Sequence, residues 1–314
     1  MASGRMHLPG EVHMLTNRCE EGRFFMKPKK KVRELIAYWF ARAMDKYGDG
    51  LDVYAFCFLS NHFHMLCRDR GGQLAQFMEY FQGNVARAVN RTLERSSAHF
   101  WQGHYDDQIV DGENAFWTKY LYVTTNAVKA GLVRRTEHWR GFCSFDAAVS
   151  GKPIVAVGLN RTKLHAATRG GKRRPTSEFE ERFEFSLATP PDLERFSTKK
   201  RGEHLRELIL QADKRCAANR GNEPVLGMRK VLEVPWHYKP QAPKRRRPAQ
   251  RFACDTKEAE QARLEGYRDF IGEYKRVFGD FMSASQRGRP FHCEWPHGSF
   301  PPAGKAPIAE APAA

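Results

Sequence analysis

Two short patterns in the 314-residue chain carry side chains that could do chemistry. The first is His62-Phe63-His64. On a strand, residues i and i+2 point to one face, so both imidazoles can reach a single metal ion while Phe63 and Met65 turn to the other side. A chain with 12 histidines yields about 0.5 such pairs by chance, so the pattern needs context. Imidazole does not choose the metal either, since zinc, manganese and others accept it. The second pattern is Tyr122 and Asn126, whose spacing of four sets a phenol and a carboxamide on one face of a helix. Tyr120 lies about 200° around that helix from Tyr122, so the two tyrosines cannot both serve one site.

These residues need strands and helices to hold them. Val12 to Leu15 is a short apolar run that predicts a strand, and Val32, Leu35, Ile36, Trp39, Phe40 and Ala43 follow at helical spacing. After the Asp49-Gly50 turn, Val53 to Leu59 reads as a strand. Ser60-Asn61 interrupts it, and His62 to Cys67 forms the next. Leu74, Phe77, Met78, Phe81, Val85 and Val89 make the inner face of a long helix, with Arg87, Arg91 and Arg95 outside. Gln108 to Val110 predicts a strand, and a last helix runs from near Glu113 to a cap at Ala130-Gly131. The order β-α-β-β-α-β-α implies an α+β fold, an antiparallel sheet of ferredoxin-like type with helices on it.

The chain carries a formal net charge of +16, and its length can bury a substantial core. Residues 1–150 hold 20 Lys and Arg against 16 Asp and Glu, and the remainder 32 against 20. The excess lies in clusters such as Arg169 to Arg174 and Lys244 to Arg247, which favour a polyanionic partner through counterion release. No run of apolar residues is long enough for a membrane span, and the N-terminus lacks a signal-peptide layout. Seven cysteines without a C-x-x-C pair fit a reducing cytoplasm rather than a disulfide framework.

Three motifs in order narrow the reading. Leu59-Ser60-Asn61-His62-Phe63-His64-Met65-Leu66 is followed by Phe100-Trp101-Gln102-Gly103-His104-Tyr105. Tyr122-Val123-Thr124-Thr125-Asn126-Ala127-Val128-Lys129-Ala130-Gly131-Leu132-Val133 completes the set. Over residues 8–148 the chain resembles the single-tyrosine HUH transposases of insertion sequences, most closely the REP-associated tyrosine transposases. Ser60 and Ala127 stand where that family usually has proline, and His104 where arginine is common.

The resemblance implies a fold of HUH endonuclease type and a site in which a divalent ion, Mg²⁺ or Mn²⁺, is held by His62, His64 and Asn126. Tyr122 would attack the scissile phosphate of single-stranded, hairpin-bearing DNA to form a 5′-phosphotyrosine link. Relatives act as dimers that exchange the tyrosine helix or act alone, so a homodimer is one of two open assemblies. Lys27, Lys29, Lys30 and Lys31, with Arg87, Arg91 and Arg95, are candidates for a DNA path beside the site. The expected organisation is an HUH catalytic domain over 1–148, a basic linker over 149–202, a helical basic accessory region over 203–299 and a disordered tail over 300–314. The alternative to a transposase is a catalytically silent relative that binds DNA hairpins. A structural zinc or RNA-binding module is disfavoured by the lack of clustered cysteine ligands and RNP-like aromatics.

Overall fold

The computed structural model describes residues 6–95, 99–169, 171, 173–240, 251–287, 291 and 294–299. Strands β1 (Val12–Arg18), β2 (Leu51–Phe58), β3 (His62–Asp69) and β4 (Asp106–Asp111) form an antiparallel sheet in the order β2-β3-β1-β4. Helices α1 (Lys30–Tyr47) and α2 (Leu74–Thr92) connect them, and α3 (Glu113–Thr124) follows β4. The observed order is the expected β-α-β-β-α-β-α, and the fold is α+β.

The sheet has two buried faces. Leu15, Phe63, Met65 and Cys67 face α1 and α2, among Ile36, Phe40, Phe77 and Phe81. Val12, Met14, Leu66 and Val110 face α3, among Phe116, Tyr120 and Val123. Burying a large apolar side chain is worth about 1.5–3 kcal/mol. A one-residue slip of β3 would take Phe63 and Met65 out of the core under α1 and α2 and put His62 and His64 there instead, so packing fixes the register. Asp69 closes the strand: its buried carboxylate accepts hydrogen bonds from the backbone N–H of Gln73 (3.0 Å) and Leu74 (3.1 Å), starting α2.

The helix expected from Glu113 to Gly131 is broken. α3 ends at Thr124, and a separate turn, α4 (Asn126–Lys129), follows Thr125. Two threonine hydroxyls bond back to the preceding turn, Thr124 to the Tyr120 carbonyl and Thr125 to that of Leu121, each at 2.7 Å. Such back-bonding and β-branching weaken a helix locally. Gly131, at φ +66°, terminates α4: its N–H bonds Val128 O, and Leu132 N–H bonds Ala127 O, both at 3.0 Å.

Residues 149–202, expected as a basic linker, are mostly folded. After α5 (Phe145–Ser150), β5 (Ile154–Leu159) and β6 (Glu180–Phe185) make a two-stranded antiparallel sheet against α1, with α6 (Arg161–Ala167) between them. Ala156 and Phe185 join the main core. β6 sets Glu181, Phe183 and Phe185 on its inner face, with Phe185 buried, and Glu180, Arg182 and Glu184 outside. Within it, Glu181 accepts hydrogen bonds from Tyr38 Oη (2.9 Å) and Asn160 Nδ2 (2.8 Å) and pairs with Lys163 (2.9 Å).

The next helix, α7 (Thr198–Arg220), starts where Ser197 Oγ caps it by accepting from Lys200 N–H. α7 packs against α3, α4 and α5. Gly202 makes this approach feasible, since a Cβ there would stand 2.0 Å from Val149 O. Buried Asp213 accepts from both the N–H and the hydroxyl of Thr136, each at 2.8 Å. α8 (Met228–Glu233) follows. β7 (Phe252–Cys254) then adds in parallel to β4, an unexpected fifth strand, and α9 (Lys257–Gln286) completes the described helices. The expected disordered tail at 300–314 and the Lys244 to Arg247 cluster lie outside the described residues. Among those described, no helix is long and apolar enough to cross a membrane.

Glu181 gives a testable consequence. Burial works against its charge, but the Asn160, Lys163 and Tyr38 contacts prevail and bring its pKa down to about 2. A carboxylate depressed in the folded state stabilises it fully above the unfolded pKa and loses that contribution as pH falls towards the folded value. Chemical denaturation should therefore find Glu181→Gln less stable than the parent at pH 7, with the gap closing between about pH 4.5 and 2.

Candidate active site

β1 and β3 pair so that Thr16 lies opposite His64 and Arg18 opposite His62. All four point to the α3 side of the sheet. Between the two histidines, Phe63 points the other way and stacks on Phe58, with ring centroids 4.9 Å apart. The β2–β3 turn is closed by a Leu59 N–H to His62 O bond of 2.8 Å, while Ser60 O accepts from Met26 N–H at 2.8 Å. Ser60 is thus held without the usual proline. The imidazoles of His62 and His64 are 5.1 Å apart, centroid to centroid, with planes at 80°.

Above them sits the α3–α4 break. The Tyr122 ring is 5.1 Å from that of His64, again edge-on at 80°. The Asn126 carboxamide lies against both His62 and Tyr122. The four residues singled out in the sequence therefore meet at one place. Tyr120 is excluded from it: the side chain is buried among Tyr54, Phe116 and Trp117, and burial pushes its phenol well above the ordinary range.

Both histidines are oriented from behind. Asn61 Oδ1 lies 2.7 Å from His62 Nδ1, which must donate to it, leaving Nε2 with a lone pair. Thr16 Oγ1 lies 2.6 Å from His64 Nδ1. Partners of this kind fix ring orientation in metal-ligating histidines. Burial, reinforced by the Arg18 charge, holds the His62 pKa down to about 4. Burial also holds His64 far below its usual value, with His62, Arg18, Lys129 and Lys119 acting in the same direction. Both imidazoles are neutral at pH 7, the form that binds metals.

Asn126 is 4 % exposed, and its Oδ1 is buried with no hydrogen-bond partner. Leaving such an acceptor unsatisfied is costly, so its presence beside two neutral imidazoles fits a cation as the third element. The donor set of two nitrogens and an amide oxygen suits a borderline divalent ion such as Mn²⁺.

The surroundings are cationic. Arg18, Lys119 and Lys129 are the side-chain charges that act on His64 beyond its histidine neighbour. Lys129 Nζ lies 4.1 Å over the Tyr122 ring. Burial raises the Tyr122 phenol pKa, against the pull of Arg18 and Asn126 toward the phenolate. The Trp101-Gln102-Gly103 turn lies at the same end of β1: Gln102 N–H bonds Arg18 O at 2.8 Å, and Trp101 packs on Phe63. α7 forms the outer wall. A groove of about 640 Å³ runs between it and the tyrosine segment, lined by Tyr122, Thr125, Lys129, Arg215, Cys216 and Arg220 among others.

Several expected DNA-binding residues stand elsewhere. Lys27 is 6 % exposed, and its ammonium donates to the carbonyls of Leu232 (3.0 Å) and Val234, tying the segment before α1 to the end of α8. The Arg95 guanidinium lies 3.6 Å over Phe25 and pairs with Glu20, with only 5 % of the side chain exposed. Lys31, Arg87 and Arg91 line a groove with α1 and β5, on the α1–α2 side of the sheet. Lys29 and Lys30 are exposed at the start of α1, and no contact links them to Tyr122. The sequence showed these residues as basic but not which layer they occupy. Conversely Thr16, Arg18, Lys119 and Lys129 were missed. The signal was available: Thr16 and Arg18 alternate on β1 as His62 and His64 do on β3, and Lys129 follows Tyr122 by seven, two helical turns.

Residues 15–126 match the family model of the IS200-like transposases. The matched span starts in β1, ends on Asn126 and contains all four convergent residues. Comparison with curated proteins gives no match. Among solved structures the chain is similar to a REP-associated tyrosine transposase bound to a REP hairpin, at 16 % identity over 48 % of this chain and 86 % of that one, with a TM-score of 0.35. It is also similar to a candidate transposase from Deinococcus radiodurans, at 15 % identity over 34 % of this chain and 84 % of that one, with a TM-score of 0.27. The likeness to the IS200-like transposases thus spans residues 15–126, about a third of the chain.

Proposed function

We propose that this chain is a metal-dependent enzyme that cuts and rejoins single-stranded, hairpin-bearing DNA, with Tyr122 as its nucleophile. The observation that supports it most strongly is the convergence of His62, His64, Tyr122 and Asn126 on one sheet face surrounded by cations. His62 and His64 would hold Mg²⁺ or Mn²⁺ together with Asn126 Oδ1. A divalent ion so bound supplies Lewis-acid polarisation of the scissile phosphate.

The chain's own groups account for the remaining chemistry. The Tyr122 oxygen attacks phosphorus and forms the phosphotyrosine bond. The bond to the 3′ oxygen breaks, and that oxygen leaves as a hydroxyl after taking a proton. Burial raises the Tyr122 phenol, while Arg18 and Asn126 favour the phenolate as the proton is lost. The energy of the phosphodiester stays in the 5′-phosphotyrosine link. The 3′-hydroxyl of a second strand can then reverse the step, which joins strands without a nucleotide cofactor.

We place the strand path in the groove between the tyrosine segment and α7, where Lys129 and Arg215 flank Tyr122. α7 and the segment that follows it also hold the tyrosine segment. The Arg220 guanidinium bonds Val128 O at 3.2 Å, and the N–H groups of Leu226 and Gly227 bond the carbonyls of Gly131 (2.8 Å) and Leu132 (3.0 Å). One copy of the chain thus holds the whole constellation.

Three outcomes test this reading. With labelled single-stranded hairpins from the flanks of its own gene and Mn²⁺, the protein should give an adduct stable to denaturing electrophoresis. EDTA and Tyr122→Phe should each abolish it, while hairpin affinity in the variant stays within about two-fold. Tight binding with no adduct under any metal would instead leave the silent hairpin-binding alternative. Thr16→Val should lower Mn²⁺ affinity by calorimetry about 10- to 100-fold with the fold intact. Arg215→Ala should weaken binding to an unstructured oligothymidylate and flatten its log–log salt dependence by about 0.7 for each phosphate that is no longer neutralised.

A further inference from the structure

A second group of ligand-type side chains lies on the opposite face of the sheet. His13 on β1 and Asp107 on β4 both point to the α1–α2 side, since Asp107 pairs in register with Leu15. His7 precedes β1 and is held there by its N–H to Gly298 O at 2.8 Å. The Asp107 carboxylate lies between the two rings, one oxygen 2.9 Å from His13 Nδ1 and the other 3.6 Å from His7 Nε2. The ring centroids are 5.5 Å apart, with planes inclined at 30°. The side chains of His7, His13 and Asp107 are 4 %, 0 % and 14 % exposed.

We propose that His7, His13 and Asp107 form a zinc-binding site, separate from the catalytic constellation, that fastens the N-terminal segment to the sheet. One ligand atom from each residue lies within 4.8 Å of the others, and among the described residues no other trio of His, Cys, Asp or Glu converges so closely. Two imidazoles and one carboxylate are a usual donor set for zinc, which takes them at about 2.0–2.2 Å in tetrahedral geometry. Donors around such an ion stand about 3.4 Å apart, so modest side-chain movement closes the present spacing onto it. Zinc would displace the proton shared between His13 and Asp107, and the partly exposed edge of Asp107 leaves the fourth position to water.

The group also has a reason to want a cation. Burial disfavours a charge on His13, yet the hydrogen bond and charge of Asp107 hold its pKa above the usual value. The Asp107 carboxylate lies between the two imidazoles, a grouping that either a shared proton or a metal can hold together. A shared proton gives no zinc dependence, which separates the two cases.

The test uses the full chain carrying His62→Ala and His64→Ala, so that its outcome is independent of the proposed catalytic site. After treatment with chelator and dialysis, it is titrated with Zn²⁺, with bound metal counted by elemental analysis. One tightly held zinc per chain is expected, with a melting temperature that rises with zinc concentration. Adding Asp107→Asn should abolish both. His7→Gln, outside the sheet strands, should do the same and serves where the Asp107 variant does not fold. A parent that holds no zinc, or whose zinc survives both substitutions, would overturn the site.

Discussion

A strand shows alternate side chains to opposite faces, so two imidazoles can share one site only if the residue between them is content on the other side. Here Phe63 lies in the core under α2, stacked on Phe58, and Met65 follows it there. The cost of removing those two side chains from the apolar core sets the register of β3 against β1, and that register aligns Thr16 with His64 and Arg18 with His62. The orienting hydroxyl, the nearby guanidinium and both imidazoles are therefore placed by apolar packing on the reverse of the sheet. The α3–α4 break completes the arrangement, with hydroxyl back-bonds at Thr124 and Thr125 bringing Tyr122 and Asn126 over the histidines.

The site's electrostatics follow from what stands near it. The charged side chains acting on His64 are Arg18, Lys119 and Lys129, all cationic. Metal sites built on carboxylates neutralise their ion before substrate arrives, whereas two neutral imidazoles and an amide leave the ion's charge for the ligand. Such a site favours a phosphate, whose own oxygens bring the missing negative charge. Tyr122 shares this setting. Its phenol is raised by burial at rest, and Arg18 and Asn126 favour the phenolate once negative charge develops.

The sequence made most of the first 148 residues legible. Periodicity placed the strands and helices, and three ordered motifs located the four convergent side chains. What stayed hidden was tertiary. Lys27 and Arg95 looked like surface charges, yet one holds the carbonyls of Leu232 and Val234 and the other lies over Phe25. Arg87 and Arg91 are exposed as expected, but on the layer away from Tyr122. Periodicity reports which face of a helix is polar and not which side of a sheet that helix covers. Residues 149–202 resemble a linker in charge density, while Ala156 and Phe185 reach the core from a sheet whose pairing no local pattern announces. The part of α7 in the tyrosine groove depends on Gly202 and Asp213, single residues whose partners are over 50 positions away.

The proposed chemistry requires Tyr122, rather than its neighbour Tyr120, to carry the DNA. Protein trapped with a hairpin substrate and Mn²⁺ can be digested with nuclease and trypsin, which releases the segment from Tyr120 to Lys129 as one peptide. Tandem mass spectrometry of that peptide should locate the nucleotide mass on Tyr122. A nucleotide on Tyr120 or on a different peptide would contradict the site described here.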